Sequence, residues 1–454
     1  MKTQRAKLLS SAILLPLSTS LLAAQPQQPN ILIIFTDDQG YADFGFMGST
    51  TNHTPVMDKL ADEGTVFTDC YAQHVSGPSR ASLLTGRYPL RNGGRNMPAS
   101  EVTFAELAQD AGYQTACIGK WDVSARKATI EQMPNAQGFE YYFGTLGAND
   151  SGKVQIHENN TPQEVITDMS TLTHLYTDKA INFIETRNQE KPFILYVAHT
   201  MLHHEIGVSE EFIGKSNRGL YGDAVEELDY EIGRIMNTLE ENNLRENTLV
   251  IYMTDNGPWS QHNYRKKSAH RYQSGDIFWG DGGALRDGKG SCYEGGSRTP
   301  CVMSLPGKIP QGIRKDGLIA SIDLAPTFAN ICGFDMRDDV IIDGVDQTKF
   351  IFSKSNKSAR ESFCYLQVTN IGQVNIEDFK AIRDERWKLL MPDRKPDKQH
   401  LFLSDFGTND YELYDLKNDI SESNNLIDKY PKVAERLKQM YTEMLDSFKG
   451  DAQN

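Results

Sequence analysis

Long apolar runs alternate with amphipathic stretches along most of the chain. Three mostly apolar runs of six residues begin at Asn30, Phe193 and Thr248. Such runs are typical of central strands in a sheet that is covered on both faces. Helical patterns lie between them, for example at residues 103–108 and 223–242. We therefore expect an α/β fold built on a large mixed, mostly parallel sheet flanked by helices.

The pattern changes in the last quarter of the chain. Residues 353–360 are polar and resemble a linker, and two short strand patterns follow at 380–383 and 387–390. Another short apolar run lies at 412–416, and residues 433–448 have helical spacing with one apolar face. We expect a large α/β domain from residue 25 to residue 352 and a smaller C-terminal α+β subdomain from residue 353 to residue 454.

Residues 1–24 have the three parts of a secretory signal peptide. A basic start is followed by an apolar stretch, and small residues precede Gln25. Pro16 interrupts the apolar stretch, so it is too short for a good membrane span, and no later segment is apolar enough. We expect an exported protein, periplasmic or secreted, with no membrane span.

The composition of the 454 residues narrows the function classes. The length suits two or three domains, or one large α/β domain with a smaller companion. The formal charge is −14, and it becomes −17 when the three basic residues of the signal peptide are removed. This acidic balance argues against a general nucleic-acid binder, which needs basic surface to neutralise phosphates. The six cysteines are scattered without a CxxC pair, which favours buried thiols over a disulfide framework.

Two of the predicted strands end in polar clusters. Asp37 and Asp38 follow the first apolar run, and Asp255 and Asn256 follow the run that begins at Thr248. Ligand sites in open α/β sheets lie beyond the carboxyl ends of the strands. These two strand ends therefore predict a functional site, although either cluster alone would also suit a plain turn.

The segment from Ser76 to Arg87, SGPSRASLLTGR, carries the most information. Alone it would also suit an ordinary turn followed by the start of a helix. It resembles the signature of the sulfatase family, within the alkaline-phosphatase-like superfamily, in which Cys or Ser precedes any residue, Pro, Ser and Arg. The resemblance implies that a maturating enzyme converts Ser76 to formylglycine. The hydrated aldehyde would then attack the sulfur atom.

The chemistry of sulfate transfer explains this modification. A plain serine would be left as a stable sulfate ester after the attack. A gem-diol has a second hydroxyl group, and deprotonation of that group expels sulfate and regenerates the aldehyde. The modification therefore divides one difficult step into two easier ones.

Both strand ends also match the family. Residues 29–40 resemble its first metal strand and residues 254–257 its second. The resemblance implies one divalent cation, and carboxylate and amide oxygens suit Ca²⁺. The implied ligands are Asp37, Asp38, Ser76 after maturation, Asp255 and Asn256.

Two lysine motifs of the family follow in order. Residues 112–121 resemble the first motif, and Lys120 would hold a sulfate oxygen. Residues 285–300 resemble the second, and Lys289 would neutralise charge on the sulfate or on the bridging oxygen. Arg80 would steady the matured side chain. In isolation each lysine would more often be a solvated surface charge.

A histidine segment completes the resemblance. His203 is best placed as the acid that protonates the leaving oxygen. Leu202 and Glu205 stand where this segment commonly has prolines, which leaves His199 and His204 as alternatives.

Asp122 is a second departure from the family pattern. The family usually has histidine after Gly-Lys-Trp, and that histidine is thought to help break down the sulfated intermediate. Asp122 could serve as the base, another group could replace it, or the step could be slow. It could also be a plain loop residue.

A basic and aromatic loop lies between Asn256 and Lys289. This loop is either a solvated insertion or the wall of a subsite for a polyanionic carbohydrate. A subsite wall is chemically suitable, because aromatic faces stack on sugars and cations attract sulfates. We therefore expect a sulfated polysaccharide or its oligosaccharides as substrate. The alternatives are a phosphate or phosphonate ester hydrolase of the same superfamily and a non-catalytic carbohydrate-binding relative; the oligomeric state stays open. The loop residues concerned are His262, Tyr264, Arg265, Lys266, Lys267, His270, Arg271, Tyr272, Phe278 and Trp279.

Overall fold

The computed structural model describes most of the chain. The described residues are 28–124, 128–259, 277–367, 374–392 and 410–451. The predicted signal peptide, and the basic and aromatic loop except for Phe278 and Trp279, lie outside them.

The strands and helices of the described residues are numbered in chain order. The strands are β1 (Asn30–Thr36), β2 (Thr65–Phe67), β3 (Cys70–Tyr71), β4 (Gln114–Lys120), β5 (Tyr141–Thr145), β6 (Val154–Glu158), β7 (Thr161–Ile166), β8 (Phe193–Ala198), β9 (Thr248–Thr254), β10 (Arg298–Thr299), β11 (Cys301–Ser304), β12 (Ile313–Lys315), β13 (Ile319–Ala320), β14 (Phe363–Leu366), β15 (Phe379–Arg383), β16 (Trp387–Leu390) and β17 (Glu412–Asp415). The α-helices are α1 (Pro55–Asp62), α2 (Ser76–Thr85), α3 (Pro89–Asn92), α4 (Phe104–Asp110), α5 (Leu172–Thr186), α6 (Gly219–Glu241), α7 (Glu294–Ser297), α8 (Leu324–Cys332), α9 (Thr348–Phe352) and α10 (Pro431–Asp451).

A ten-stranded mixed sheet forms the centre of the larger part of the molecule. Its order is β12-β2-β11-β9-β1-β8-β4-β5-β6-β7. The five strands from β9 to β5 are parallel to one another, whereas β11 runs antiparallel to both β9 and β2. Every residue of β1, β8 and β9 is buried, as their apolar runs predict. The predicted large mixed, mostly parallel sheet is confirmed.

Helices cover both faces of this sheet. Along β1, Leu32 and Ile34 pack in one apolar cluster with residues of α1, α5 and α6. Ile31, Ile33 and Phe35 point to the other face and pack with residues of α2, α4 and α8. This alternation follows from the two-residue period of a strand, and it explains why a central strand needs apolar residues at every position.

A separate four-stranded antiparallel sheet lies in the C-terminal part. Strands β14, β15, β16 and β17 follow one another in space as they do along the chain. Helix α10 packs on this sheet, where Tyr441 stacks on Phe379 at a ring distance of 4.2 Å. The expected C-terminal α+β unit is present, and the boundary at residues 352 and 353 stays a prediction.

The helices and the cysteines of the structure bear on two further predictions, the lack of a membrane span and the burial of the thiols. Among the described residues, no helix combines the length and the apolar character that a membrane crossing requires. The cysteines are buried, as the sequence favours; they are Cys70, Cys117, Cys292, Cys301, Cys332 and Cys364.

Candidate active site

The carboxyl ends of β1 and β9 bring the predicted metal ligands together. The two strands are parallel neighbours, and their pairing extends to Thr36 opposite Thr254. The backbone N–H of Asp38 donates to Asp255 Oδ1 at 3.2 Å, and the Asn256 amide donates to Asp38 Oδ1 at 2.6 Å. These four residues are the strand-end cluster: Asp37, Asp38, Asp255 and Asn256, all of them buried.

Ser76 lies at the start of α2 and points at this cluster. Its hydroxyl lies 3.0 Å from Asp37 Oδ1 and 3.4 Å from Asn256 Oδ1. Gly77 permits a close approach of the next segment, because a Cβ there would lie 2.7 Å from the Cβ of Arg95 and 2.8 Å from the carbonyl oxygen of Asp122. Ser76 is only 1% exposed as a result of this packing.

Arg80 lies one turn after Ser76 on the same helix. Its Nη2 group donates to Asp255 Oδ2 at 2.8 Å, and Nη1 donates to the carbonyl oxygen of Lys120 at 3.1 Å. Burial lowers the pKa of the guanidinium, but the charges of Tyr196 and Asp255 outweigh burial and raise it. Arg80 is therefore a fixed positive charge behind position 76.

Two lysines contact different carboxylates of the strand-end cluster. Lys120, the last residue of β4, places Nζ 2.5 Å from Asp37 Oδ2. The Nζ atom of Lys289 lies 2.6 Å from Asp38 Oδ1, and its backbone N–H donates to the carbonyl oxygen of Pro258 at 2.8 Å. Burial lowers the pKa of Lys289, but Asp38 and the other strand-end carboxylates raise it overall, so the ammonium stays charged.

The three candidate histidines have different surroundings. His203 Nε2 lies 3.4 Å from Asp38 Oδ2 and 3.7 Å from Asp150 Oδ1. His199 lies beside the ring of Tyr176, and burial lowers its pKa to about 4. His204 Nε2 lies 3.8 Å from Asp150 Oδ1. Of the three, His203 contacts a strand-end carboxylate, as the sequence favours.

The electrostatics of the cluster suit a hard divalent cation. Burial, and then the charge of Asp37, raise the pKa of Asp255 to about 7. Burial also raises the pKa of Asp37, but Lys120 and the neighbouring cations hold it well below its usual range. One oxygen or nitrogen atom from each of Asp37, Asp38 and His203 lies within 4.8 Å of the others. The residues present fit a cation that prefers oxygen ligands, because its charge would offset the repulsion among three buried carboxylates.

Asp122 is buried next to Lys120 and has a positive φ of 52°. Its Oδ2 atom lies 3.7 Å from Lys120 Nζ and 3.3 Å from Arg95 Nη2. The residue that departs from the family pattern therefore belongs to the charged surroundings of the site rather than to a solvated loop.

Sequence analysis missed three residues of the site. Trp259 donates its indole N–H to Asp38 Oδ2, and Lys289 Nζ lies 5.3 Å from its ring centroid. Asp150 faces two histidines, and Arg95 pairs with Asp122. The sequence could have indicated Trp259, because it stands only three positions after the predicted ligand Asn256. Asp150 and Arg95 had none, since each reaches the site from a loop distant in sequence.

Comparison with known proteins decides the family. The family model named Sulfatase matches residues 29–334. N-acetylgalactosamine-6-sulfatase of Canis lupus familiaris is 33% identical over 371 residues, which are 74% of this chain and 68% of that protein.

The chain belongs to the sulfatase family. It is a sulfuric ester hydrolase, and the predicted fold class is that of the family. The human sulfatase arylsulfatase A is 31% identical over 473 residues, which cover 94% of this chain and 90% of that one. A family model for the C-terminal region of N-sulphoglucosamine sulphohydrolase matches residues 287–449, which include Lys289 and the four-stranded sheet.

Solved structures resemble this sulfatase over nearly its whole length. One is connected with the metabolism of multiple glycosaminoglycans by Bacteroides thetaiotaomicron; it has a TM-score of 0.79 and 26% identity, and covers 92% of this chain and 100% of that chain. Another was solved in complex with k-i-k-neocarrahexaose; it has a TM-score of 0.77 and 27% identity, and covers 92% of this chain and 93% of that chain.

Proposed function

We propose that this sulfatase hydrolyses sulfate esters of a sulfated polysaccharide or its oligosaccharides, with a formylglycine made from Ser76 as the nucleophile. One observation carries the proposal. The Ser76 hydroxyl lies 3.0 Å from Asp37 Oδ1 in a buried site that also holds Arg80, Lys120 and Lys289. Relatives that act on N-acetylgalactosamine sulfate, and a neighbour bound to k-i-k-neocarrahexaose, support the carbohydrate substrate.

The strand-end cluster and position 76 would hold one Ca²⁺ ion. When bound, the ion withdraws electron density from a sulfate oxygen and offsets its charge. The donor set supports this assignment, because it consists of carboxylate, amide and hydroxyl oxygens. Asp255 would then stay ionised, although without a cation burial raises its pKa to about 7.

The cations of the site would bind and orient the sulfate group. Lys120 and Lys289 contact different carboxylates of the cluster, Asp37 and Asp38 respectively, and each would bind a sulfate oxygen. Arg80 stays fixed by Asp255 and holds positive charge near position 76. Preorganised charges of this kind stabilise the negative charge that develops during transfer.

His203 would donate the proton that the leaving sugar oxygen needs. Burial lowers the pKa of His203, as does Lys289, whereas Asp38 and other carboxylates partly oppose this effect. A lowered pKa makes a protonated imidazole a stronger acid toward a departing alkoxide. Asp122, 3.7 Å from Lys120 Nζ, would accept the proton released when sulfate leaves position 76.

The proposal includes export and maturation. The predicted signal peptide at residues 1–24 would direct the chain to the periplasm or the medium, and a maturating enzyme would oxidise Ser76. Mass spectrometry of the peptide that contains position 76 tests maturation directly, because formylglycine is about 2 Da lighter than serine.

Parallel assays on the matured protein test the reaction. We expect sulfate release from defined sulfated oligosaccharides, with Ser76→Ala as the inactive control and phosphate esters of the same sugars as the comparison. Phosphate release at the same or a higher rate, or sulfate release by Ser76→Ala, would contradict the proposal.

Metal removal tests the calcium assignment. Dialysis against EGTA should abolish sulfate release and lower Tm, because a ligand that binds only the folded state stabilises it. Ca²⁺ should restore both more effectively than Mg²⁺, which demands a stricter octahedral geometry. Full activity in protein that elemental analysis finds metal-free would refute the assignment.

A further inference from the structure

A second group of potential metal ligands lies at the edge of the site. It consists of His203, His204 and Asp150. His203 Nε2 and His204 Nε2 lie 3.7 Å and 3.8 Å from the same oxygen of Asp150, and the three ligand atoms lie within 4.8 Å of one another. Two imidazole nitrogens and one carboxylate oxygen differ from the oxygen-rich strand-end cluster in their metal preference. Imidazole ligands favour transition metals such as Zn²⁺ over Ca²⁺.

The distances are close to those of a tetrahedral zinc site. Zinc binds imidazole nitrogen and carboxylate oxygen at about 2.1 Å, which places two ligands of a tetrahedron about 3.4 Å apart. The two separations from Asp150 exceed this value by a few tenths of an ångström. The His203 and His204 rings are stacked, with centroids 5.0 Å apart and planes 15° apart, so one ring has to rotate about its Cβ–Cγ bond before both Nε2 atoms face the same ion.

His203 has an acceptor at its other ring nitrogen, and a carboxylate oxygen lies near the corresponding nitrogen of His204, beyond hydrogen-bond distance. His203 Nδ1 is hydrogen-bonded to the carbonyl oxygen of His204, and His204 Nδ1 lies 3.7 Å from Glu205 Oε1. Metal-binding histidines commonly use the second N–H in this way, because it orients the ring and presents Nε2 to the metal. Asn149 fixes the loop by donating to the carbonyl oxygens of His203 and Glu205 at 3.0 and 2.8 Å.

The group is enclosed on one side and accessible on the other. The side chains of His203 and His204 are 5% and 4% exposed, whereas that of Asp150 is 27% exposed. The Trp259 ring packs edge-on against His204 at 5.1 Å. A cation could therefore approach along Asp150 and keep a fourth coordination position toward solvent.

We propose that His203, His204 and Asp150 form a zinc site, which adjoins the strand-end cluster through His203, and that Zn²⁺ bound there inhibits the enzyme. Zinc bound to His203 Nε2 would occupy the atom that donates the proton to the leaving oxygen. The inhibitory part rests on the proposed function of His203, whereas zinc binding itself does not.

The test measures binding and inhibition separately on matured protein saturated with Ca²⁺, which occupies the oxygen-rich site. Titration calorimetry with Zn²⁺ should show one site, and Co²⁺ in its place should give the intense visible absorption of tetrahedral cobalt. Asp150→Asn and His204→Asn should each weaken zinc binding at least about 10-fold, because even the loss of an outer partner has that effect.

His174→Gln is the matched control. His174 also lies between carboxylates, 3.2 Å from Asp178 Oδ2 and 3.0 Å from Glu231 Oε1, but its own side chain is 56% exposed. We expect unchanged zinc binding and inhibition in this variant. Loss of binding in His174→Gln would place the zinc elsewhere and overturn the proposal.

Three further outcomes also test the proposal. Zinc affinity unchanged in both Asp150→Asn and His204→Asn, with melting curves confirming that they fold, would overturn the proposal. Zinc binding at these residues without loss of sulfate release would overturn its inhibitory part. If matured protein released no sulfate at all, the proposed function would fail, while calorimetry and the cobalt spectrum would still test the site.

Discussion

Two buried groups of charges in this protein have the same composition and opposite arrangements. The first holds three carboxylates, Asp37, Asp38 and Asp255, beside the cations Arg80, Lys120 and Lys289. The second, the junction network, lies between the large sheet and the C-terminal sheet. It also has three carboxylates and three cations, which are Asp69, Glu294, Glu422, Arg298, Arg383 and Lys388.

The junction network is a chain of alternating charges. Arg383 contacts Asp69 at 3.2 Å, and Arg298 links Asp69 to Glu294. Lys388 then lies 3.0 Å from Glu294 Oε1 and 2.8 Å from Glu422 Oε1. Tyrosine hydroxyls fill further acceptor positions, since Tyr71 and Tyr365 both donate to Glu294 at 2.6 Å.

In the candidate active site, by contrast, the acids adjoin one another at two neighbouring strand ends. Arg80 and Lys120 bridge neighbouring acids here too, but ligand atoms of Asp37, Asp38 and His203 also converge within 4.8 Å of one another, and the Ser76 hydroxyl lies beside them. A network whose acids are linked through cations and tyrosine hydroxyls serves stability, whereas acidic oxygens that converge on one point can hold an external cation. Arrangement, rather than the number of buried charges, distinguishes the site from the structural network.

The largest difference should come from removing one cation in each group. Lys120→Met and Lys289→Met should each lower kcat about 10²- to 10³-fold, because a preorganised charge on the transferred group is lost. The measurement is sulfate release from one defined oligosaccharide, normalised to the formylglycine content. A decrease smaller than about threefold in both variants would remove these lysines from the proposed mechanism.

Lys388→Met should instead affect stability. Breaking a buried ion pair by removing one partner costs about 3–5 kcal/mol. We expect a lower midpoint in denaturant unfolding, and a kcat within about tenfold of wild type, because Lys388 contacts no residue of the strand-end cluster. An unchanged midpoint together with a large loss of kcat would reverse the roles assigned to the two groups.

Glu422→Gln should change the pH dependence of stability. Burial, and then the charge of Glu294, raise the pKa of Glu422 to about 7 in spite of Lys388. Between roughly pH 4.5 and 7 the folded state holds a proton that the unfolded state has released, so wild-type stability falls as the pH rises through this range. The variant should lack this contribution, and its Tm relative to wild type should rise from pH 5 to pH 8. A constant difference would contradict the assignment.

The smallest effect should come from an exposed ion pair. Lys417 Nζ lies 2.6 Å from Asp316 Oδ2, and the two side chains are 39% and 48% exposed. Lys417→Ala should change the free energy of unfolding by less than about 1 kcal/mol, because water and salt screen the pair. If Lys417→Ala lowered the free energy of unfolding as much as Lys388→Met, burial would not explain the difference between the exposed and the buried ion pairs.

Local patterns determine how much of this structure the sequence predicts. The apolar runs predict β1, β8 and β9, and the polar residues after β1 and β9 predict the strand-end cluster. The three-residue strands β2 and β12, at one edge of the large sheet, are too short to carry a pattern, and pairing with their neighbours fixes them. Lys388 and Glu422 resemble surface charges in the sequence, because only tertiary packing buries them. Asp150 of the proposed zinc site shares this property, since it reaches His203 across more than fifty residues.

The close packing at Gly77 also limits when Ser76 can be oxidised. Arg95 and Asp122 seal the start of α2, and Ser76 is left 1% exposed. An oxidising enzyme needs the serine side chain in its own catalytic pocket, which this packing forbids. The proposed oxidation therefore has to precede folding, while the segment is still extended. A cell that produces the chain faster than it can modify it would accumulate well-folded but permanently inactive molecules.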